Sequence, residues 1–327
     1  MTRKITPKKA ADATAAETSM TPAATTHCGE VALVGRPNVG KSTLLNALIG
    51  QKLSITTPKP QTTRHRIRGI KTTETAQIIY VDTPGIHDAG KRPMNRTMNR
   101  AAVAALVDVD VIVFVLEALQ WNEDDERVLE HLKGLDLKGL EKSPPVIVVV
   151  NKVDQVKDKP LLLPYMQQLP ERLGAAWDIV PLSARKRDNI ENLERLLIAK
   201  LPEGEAIFPE DQVTDRSMRF LAAEIIREKL MRRLAKELPY HLTVEIEKFQ
   251  EEQGTFEINA VIWVERTSQK GIVIGAHGDV LKEVGTKARF DMEKMFGQHV
   301  FLHLWVKVKE GWSEDTRLLR SLGLDEE

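Results

Sequence analysis

The sequence GRPNVGKS, from Gly35 to Ser42, is the feature that most limits what this chain can fold into. It lies between the apolar run VALV and the helix-patterned segment TLLNALIG. Its glycines allow backbone N–H groups to converge on an anion, and the helix that follows adds unpaired N–H groups at its first turn. The pattern therefore predicts a P-loop, which is a phosphate-binding loop between a β-strand and an α-helix. An ordinary strand-to-helix turn is the alternative interpretation.

From Glu30 onward, short apolar runs such as VALVG, QIIYVD and VDVIVFVLEA alternate with longer segments of helical period. This alternation predicts a mostly parallel sheet covered by helices on both faces. The segment RHRIRGIK instead reaches AQIIYVD through a short polar turn, which predicts an antiparallel hairpin. The expected fold of this part is therefore an α/β domain whose sheet has one antiparallel edge strand.

Composition narrows the class of protein. The chain of 327 residues has 42% apolar and 29% charged residues, and its formal net charge is zero. Such a chain is globular, and its overall field does not draw it to nucleic acid or to an acidic membrane. The single cysteine, Cys28, excludes an internal disulfide and fits a reducing compartment. No apolar run approaches the roughly 20 residues of a membrane-spanning helix, which predicts a soluble, cytoplasmic protein.

The chain also divides by composition. Residues 1–28 contain no periodic set of bulky apolar side chains and are predicted to be a disordered tail. A first domain is predicted at residues 29–203. The sequence LPEGEAIFPEDQVTD then interrupts both periods and predicts a linker at residues 204–217. Residues 218–327 combine a long helical segment with strands of strict alternation, which predicts a small α+β domain.

The P-loop pattern assigns chemistry to its residues. Lys41 is expected to reach the β and γ phosphates of a nucleotide, and the Ser42 hydroxyl is expected to ligate Mg²⁺. The other P-loop residues expected to bind the nucleotide are Gly35, Arg36, Pro37, Asn38, Val39, Gly40 and Thr43.

Further motifs follow strands that should end at the same edge of the sheet. Asp82, which heads DTPG, is placed to hold Mg²⁺ through water, with the Gly85 N–H facing the γ phosphate. In NKVD, the Asp154 carboxylate can accept hydrogen bonds from N1–H and from the exocyclic amine of guanine, and adenine offers neither donor. This predicts GTP rather than ATP. Asn151 is expected to brace the loop, and the Lys152 stem to lie along the base.

The set is completed by Ser183 and Ala184, which follow WDIVPL, and the Ala184 N–H is expected to face the guanine O6. Between the P-loop helix and DTPG lies SITTPKPQTTRHRI, a polar, proline-broken segment suited to a loop that orders on its ligand. Thr62 and Thr63 could each complete the Mg²⁺ shell, and we favour Thr63.

Two residues refine the expected hydrolysis. Ile86 follows Gly85 at the position where signalling GTPases place a water-orienting glutamine, so unaided hydrolysis is expected to be slow. Asn38 could help to hold a monovalent cation against the phosphates, or it could simply stabilise a turn. The expected catalytic set is Lys41, Asn38, Thr63 and Gly85.

The motifs GRPNVGKS, QTTR, DTPG, NKVD and SA together resemble a translation-factor-class GTPase. The second half of the chain resembles the Era-like family of bacterial ribosome-assembly GTPases, through FPED, TDRS, AAEIIREKL, ELPY, VEIE, WVKVKEGW and RSLG. The resemblance covers nearly the whole chain except the tail. It implies a P-loop GTPase domain joined to a C-terminal type II KH domain, which binds single-stranded RNA near the 3′ end of small-subunit (16S) rRNA.

The same resemblance implies GTP, Mg²⁺ and K⁺ as cofactors, with Asn38 as the potassium ligand. It implies assistance in the assembly of the small ribosomal subunit. It also implies a cytoplasmic monomer with peripheral contact at the inner membrane.

The KH assignment has its own feature, the GxxG turn of GIVIGAHGDVLKEVG, which lets RNA phosphates approach the backbone. Its central pair, Ala276 and His277, departs from the family's usual pattern, in which at least one of the two is commonly basic or amide-bearing. Acidic residues slightly outnumber basic ones after residue 217, so local cations must supply the attraction for RNA. The residues expected to bind RNA are Gly275, Ala276, His277, Gly278, Lys270 and Lys282.

Three alternative functions stay open on the sequence. The first is a GTPase switch whose second domain binds a protein or a membrane instead of RNA. The second is an RNA-binding protein whose nucleotide site is only structural, and the third is an ATPase.

Overall fold

The structure is a computed structural model, and it describes residues 27–59, 62–86, 93–106, 109–136, 143–174, 177–235 and 238–312. The predicted tail lies outside the described residues up to residue 26. The first strand already includes His27 and Cys28, so the predicted end of the tail at residue 28 is wrong by two residues. The Cys28 N–H donates to the Pro202 carbonyl at 3.1 Å, and the Cys28 side chain is buried. Both observations depend on residues far along the chain. Residues 27–30 themselves carry no apolar pattern from which the start of the strand could be predicted.

Six strands form the larger sheet, in the order β2-β3-β1-β4-β5-β6. The strands are β1 (His27–Val34), β2 (Ile67–Thr72), β3 (Ala76–Asp82), β4 (Val111–Glu117), β5 (Val146–Asn151) and β6 (Asp178–Pro181). Every neighbouring pair is parallel except β2 and β3, which are antiparallel. The predicted parallel sheet with one antiparallel edge strand is confirmed.

Helices cover both faces of this sheet, because alternate residues of the central strands are buried in opposite directions. Val31 and Leu33 of β1 belong to one core, and Ala32 and Val34 belong to the other. The helices are α1 (Lys41–Ile49), α2 (Pro93–Ala104), α3 (Glu123–Asp136), α4 (Leu162–Leu173) and α5 (Ile190–Ile198). The carboxyl ends of the parallel strands lie at one edge, where the predicted motifs follow β1, β3, β5 and β6.

The smaller sheet has three strands in the order β7-β8-β9, with β7 antiparallel and β9 parallel to β8. Its elements are α6 (Met218–Arg233), β7 (Leu242–Glu252), β8 (Thr255–Val264), α7 (Thr267–Ile274), α8 (Asp279–Phe296) and β9 (His299–Val308). Alternate residues of β7 and β8 are buried against the helices, as the sequence predicts. Val308, the last residue of β9, is 36% exposed, whereas Val306 on the same face of the strand is buried.

The segment predicted as a linker packs along the edge of the larger sheet. Ile70 of β2 donates its N–H to the Val213 carbonyl at 2.9 Å, and Thr214 pairs with Gly69. The Thr214 hydroxyl donates to the Arg68 carbonyl at 2.7 Å. The linker therefore covers the exposed edge that an antiparallel strand would otherwise present to solvent.

Candidate nucleotide and RNA sites

The P-loop is held in place by close backbone contacts. A Cβ on Gly40, where φ is +104°, would lie 2.4 Å from Asn151 Nδ2. A Cβ on Gly35 would lie 2.5 Å from the Val115 carbonyl oxygen. Both separations are far below van der Waals contact, so only glycine fits at either position. The loop is therefore pressed against β4 and against the NKVD segment. Its backbone lines a cavity between the P-loop and DTPG, which we call the phosphate cavity.

The Lys41 ammonium lies inside the loop, where Nζ donates to the carbonyls of Gly35 and Arg36 at 2.9 and 3.0 Å. Burial lowers the pKa of Lys41 to about 8, and the nearby Asp82 carboxylate only partly offsets this. A phosphate chain entering the loop would supply the negative charge that a buried ammonium needs. The arrangement fits the role expected for Lys41.

The Arg36 side chain does not contribute to this cradle. Its Nε donates to Asp125 Oδ2 at 3.0 Å, and its Nη2 donates to Glu117 Oε2 at 3.1 Å. Only the Arg36 main chain contacts Lys41, so the expectation that Arg36 binds the nucleotide is limited to its backbone. Sequence reasoning missed the two acids, although Glu117 ends a strand at the functional edge of the sheet.

A cluster of oxygens lies beside the first turn of α1. Ser42 Oγ and Thr63 Oγ1 are 2.8 Å apart, and Asp82 Oδ2 accepts a hydrogen bond from Ser54 Oγ at 2.9 Å. Asp82 Oδ1 is buried and has no hydrogen-bond partner among the described residues. Burial raises the pKa of Asp82, and the surrounding hydroxyls counteract it.

These oxygens fit a Mg²⁺ ion, which prefers hard oxygen donors at about 2.0–2.1 Å and therefore holds adjacent ligands about 3 Å apart. The structure brings Thr63 rather than Thr62 to Ser42. Thr62 instead bonds Thr57 Oγ1 and the Lys59 carbonyl, each at 2.7 Å. The geometry thus supports the expected choice of Thr63.

Asn38 and Gly85 form the rim of the same cavity. Asn38 has a left-handed backbone, with φ at +65°, and its Nδ2 donates to the Pro58 carbonyl at 3.2 Å. A Cβ on Gly85 would lie 2.6 Å from the Pro37 nitrogen, so DTPG approaches the P-loop as closely as backbone allows. Ile86 is buried, which is consistent with its inability to orient water.

The guanine-reading motifs form one hydrogen-bonded unit. Asn151 Nδ2 donates to the Val39 carbonyl at 2.8 Å, as expected for a brace on the P-loop. Ser183 Oγ donates to Asp154 Oδ1 at 2.6 Å and so orients that carboxylate. Lys152 Nζ pairs with Glu117 Oε2 at 2.8 Å.

The Ala184 N–H, which is expected to face the guanine O6, donates to Asn151 Oδ1 at 3.0 Å in this structure. The same amide oxygen also accepts the Lys152 N–H at 2.7 Å. Ala184 therefore joins the SA motif to NKVD in this structure.

The described residues of the segment 52–64 contact the second domain, mainly at α6, in an arrangement that we call the clasp. Lys52 pairs with Glu228 and with Asp291, and the Thr56 N–H donates to Glu228 Oε1 at 3.0 Å. Arg232 donates to the Thr56 carbonyl at 2.6 Å. Further contacts join Lys59 to the Leu234 carbonyl, Arg227 to the Thr62 carbonyl and Arg64 to the Leu242 carbonyl. In the sequence, the charged side chains of α6 look like those of any helix. Sequence reasoning therefore missed the residues that they contact.

The GxxG turn joins α7 to α8 beside an open groove of about 460 Å³. A Cβ on Gly275 would lie 2.5 Å from Val280 Cγ2, so this glycine is required by packing. Gly278, with φ at +84°, would have no atom within 4 Å of such a Cβ, so its backbone is accessible from the groove. The groove is lined by Gly278, Leu281, Lys282, Gly285, Thr286, Arg289, Phe301, Leu302 and Leu304.

Two of the residues expected to bind RNA, Gly278 and Lys282, thus line the groove. Lys270, Ala276 and His277 are not among its lining residues. Arg289 is the additional cation there, and its position two turns after Lys282 on α8 is the sequence signal that could have identified it.

Comparisons with known proteins agree with both halves of this description. The family of 50S ribosome-binding GTPases matches residues 30–152, and the KH domain family matches residues 237–313. The chain is 53% identical over 304 residues to GTPase Era of Pseudomonas fluorescens, which covers 93% of this chain and 99% of that relative. It is 54% identical over 296 residues to GTPase Era of Pseudomonas aeruginosa, covering 90% and 94%.

Two solved structures are similar over almost the whole chain. One is Era in complex with MgGDPNP and nucleotides 1506–1542 of 16S ribosomal RNA, with a TM-score of 0.86, 39% identity, and coverage of 92% of this chain and 100% of that one. The other is an Aquifex aeolicus Era variant bound to GDP and AlF4⁻, with a TM-score of 0.86, 38% identity and the same coverage.

Proposed function

The chain belongs to the Era family of GTPases, and from this premise we propose that it is a GTP-hydrolysing switch that binds single-stranded RNA near the 3′ end of 16S rRNA. In this role it assists assembly of the small ribosomal subunit in the cytoplasm. It acts as a monomer, with peripheral contact at the inner membrane. We also propose the division into a tail that ends before the first strand at His27, a GTPase domain that ends at residue 203, a linker at 204–217 and an RNA-binding domain at 218–327.

One observation carries the proposal: a single loop contacts both the nucleotide site and the RNA-binding domain. Thr63 contacts Ser42 at the oxygen cluster, while Thr56 and Thr62 of the same loop contact α6 through the clasp. A change in the position of Thr63 therefore reaches the RNA-binding domain through backbone hydrogen bonds. A switch needs such a shared element, whose two arrangements both sites can bias.

Each residue of the nucleotide site has a proposed task. Ser42 and Thr63 would hold Mg²⁺ directly and Asp82 would hold it through water, and the bound ion would supply positive charge to the phosphates. Lys41 binds the β and γ phosphates, and the Gly85 N–H faces the γ phosphate. The backbone from Gly35 to Thr43 surrounds the phosphates. Asp154 accepts from the guanine ring, Lys152 lies along it, and Asn151, Ser183 and Ala184 hold these residues in place.

We propose that Asn38 helps to bind K⁺. Its side-chain oxygen and the Pro58 carbonyl, which accepts from Asn38 Nδ2, both lie at the mouth of the phosphate cavity. A monovalent cation held by the Asn38 side-chain oxygen would place positive charge beside the phosphates, where Ile86 provides no help to the attacking water. Hydrolysis should then be faster in potassium than in sodium buffer.

For RNA, we propose that the backbone at Gly275–Gly278 receives a phosphate and that Lys282 attracts the strand, with Lys270 contacting it outside the groove. Arg289 adds a second cation inside the groove. This local charge offsets a domain whose overall balance is slightly acidic, so RNA binding should weaken steeply as salt is raised.

The testing experiment is single-turnover GTP hydrolysis in potassium and in sodium buffer, with and without a single-stranded RNA copied from the 3′ end of 16S rRNA. The expected result is faster hydrolysis in potassium and stimulation by the RNA, both absent in Lys41→Ala. Equal RNA affinity in the GTP and GDP states would contradict the switch. Hydrolysis that RNA does not affect, together with no RNA binding, would favour a protein or membrane partner for the second domain.

A further inference from the structure

The outer face of β9 carries a row of three aromatic side chains, of which Phe301 lines the GxxG groove and the other two do not. Phe301, His303 and Trp305 alternate with Leu302 and Leu304, which pack towards the core. Phe301 is 59% exposed, Trp305 is 44% exposed and His303 is also exposed. We call Phe301, His303 and Trp305 the aromatic row. An exposed apolar surface of this kind on a soluble domain marks a binding site more often than chance.

The three rings of the aromatic row form a continuous surface. The ring centroids of Phe301 and His303 are 4.7 Å apart with an interplanar angle of 78°. Those of His303 and Trp305 are 5.6 Å apart and nearly parallel, at 26°. Lys307 continues the same face of the strand, where its Nζ lies 5.7 Å from the Trp263 ring centroid and pairs with Glu247.

The aromatic row begins at the GxxG groove. Phe301 lines that groove together with Gly278, Lys282 and Arg289. A strand whose phosphates lie at Gly278 and which leaves the groove across β9 therefore meets Phe301 first and the other two rings next. Flat aromatic side chains on an open sheet face are the surface on which single-stranded bases stack in other RNA-binding folds.

We propose that the aromatic row is a second RNA subsite, on which the bases of the strand leaving the GxxG groove stack. The proposal rests on the RNA binding proposed above. It commits to RNA rather than protein because the row is continuous with the groove and has cations at both ends, Lys282 and Arg289 at one and Lys307 at the other. Stacking reads no base edge, so this subsite adds affinity with little sequence preference.

The test measures affinity for two single-stranded RNAs that share one end, by fluorescence anisotropy. The shorter has about four nucleotides, enough for a KH groove, and the longer has about three more for the aromatic row. The unaltered protein should bind the longer RNA roughly tenfold more tightly or better, because each stacked base adds on that order. His303→Ala combined with Trp305→Ala should largely remove this advantage and leave affinity for the shorter RNA nearly unchanged, because neither residue lines the GxxG groove.

The control is Phe290→Ala, since Phe290 is 67% exposed on α8 and does not belong to the aromatic row. It should keep the full length advantage, as should Phe301→Tyr, which retains the ring. Unchanged GTP hydrolysis by each variant verifies folding. If the doubly substituted protein keeps the length advantage, the proposed subsite is wrong. It is also wrong if light scattering shows that the unaltered protein is a dimer and that the double substitution converts it to a monomer. If the unaltered protein binds neither RNA, the proposed RNA-binding function itself fails.

Discussion

The molecule contains two glycine loops that each lead into a helix, and they differ in how firmly they are held. Gly35 and Gly40 of the P-loop press against Val115 and Asn151, so neither can carry a side chain. Gly278 of the GxxG turn faces open space, and the turn lies on an accessible groove. Both loops offer backbone N–H groups to phosphate, but packing fixes both of these P-loop glycines and only Gly275 of the two glycines in the GxxG turn. A fully packed loop can select one ligand, whereas an open loop can accept any phosphate along a strand.

The largest effect is expected from breaking the selectivity of the packed site. Asp154→Asn removes the carboxylate that should accept two hydrogen bonds from guanine, and each bond to a charged acceptor contributes about 1.5–3 kcal/mol. Affinity for GTP should fall roughly a hundredfold or more. Affinity for xanthosine triphosphate should rise, because the new amide can donate to the second ring carbonyl. Competition binding with both nucleotides and ATP measures this, and an unchanged preference for GTP would mean that another residue reads the base.

The next effect tests the open loop. Gly278→Asp places a negative side chain at a left-handed position beside the RNA phosphates, and RNA affinity should fall about tenfold or more through strain and repulsion. Gly254→Asp is the matched control. Gly254 has φ at +76° and equally open surroundings, but it lies in the turn between β7 and β8. Equal losses of RNA affinity in both variants would show that the groove is not the phosphate site. GTP hydrolysis without RNA should be unaffected in either.

A smaller effect is expected from the clasp that joins the two regions. Glu228 is fully buried and accepts the Thr56 N–H, and its ion pairs with Lys52 and neighbouring cations hold its pKa below the usual range despite burial. Glu228→Gln should lower the free energy of unfolding by about 1–3 kcal/mol and weaken the stimulation of hydrolysis by RNA. Glu283→Gln, which removes an exposed partner of Arg233 and Lys287, should change the free energy of unfolding far less, because water and salt screen an exposed ion pair. Undiminished RNA stimulation in Glu228→Gln would mean that the clasp does not transmit the signal.

The smallest effect near neutral pH concerns the packed loop. Burial lowers the pKa of Lys41 to about 8, and bound phosphates should raise it. Nucleotide binding should therefore take up a proton above pH 8, and affinity should fall with pH there by up to about tenfold per unit. Calorimetry at pH 8.5–9 in buffers of different ionisation enthalpy measures the uptake.

For the free protein, the free energy of unfolding changes with pH in the opposite direction to the nucleotide affinity. The unfolded chain holds this proton up to about pH 10.4, so stability should rise between pH 8 and 10. Binding without proton uptake would contradict the assigned pKa.

The sequence predicted most accurately what depends on neighbouring residues. The P-loop, DTPG, NKVD and SA each follow a strand, so the topology of a parallel sheet is enough to bring them together. The strand alternation in the second half likewise predicted the small sheet. The choice of Thr63 over Thr62 agrees with the structure, because Thr63 is the threonine whose hydroxyl lies beside Ser42 in the oxygen cluster.

Other features depend on contacts between residues far apart in the chain. The Arg36 side chain bonds Asp125 and Glu117, and the Ala184 N–H bonds Asn151, and these partners lie far from Arg36 and Ala184 in the sequence. Glu228 resembles any other helix charge until Lys52 is placed beside it. In β9, the alternation predicts a strand with one buried face, which bears the leucines. It assigns no role to the opposite face, which bears Phe301.

The linker has one further consequence, which concerns how far the two domains can separate. Thr214 is paired with β2 and α6 begins at Met218, so residues 215–217 alone join an anchored strand to the helix. Three extended residues span about 10 Å. A tether this short holds α6 beside residues 52–64 at an effective concentration of millimolar order or above. The individually weak bonds of the clasp can then re-form after every opening without a second diffusional encounter. The balance between open and closed forms should accordingly be independent of protein concentration.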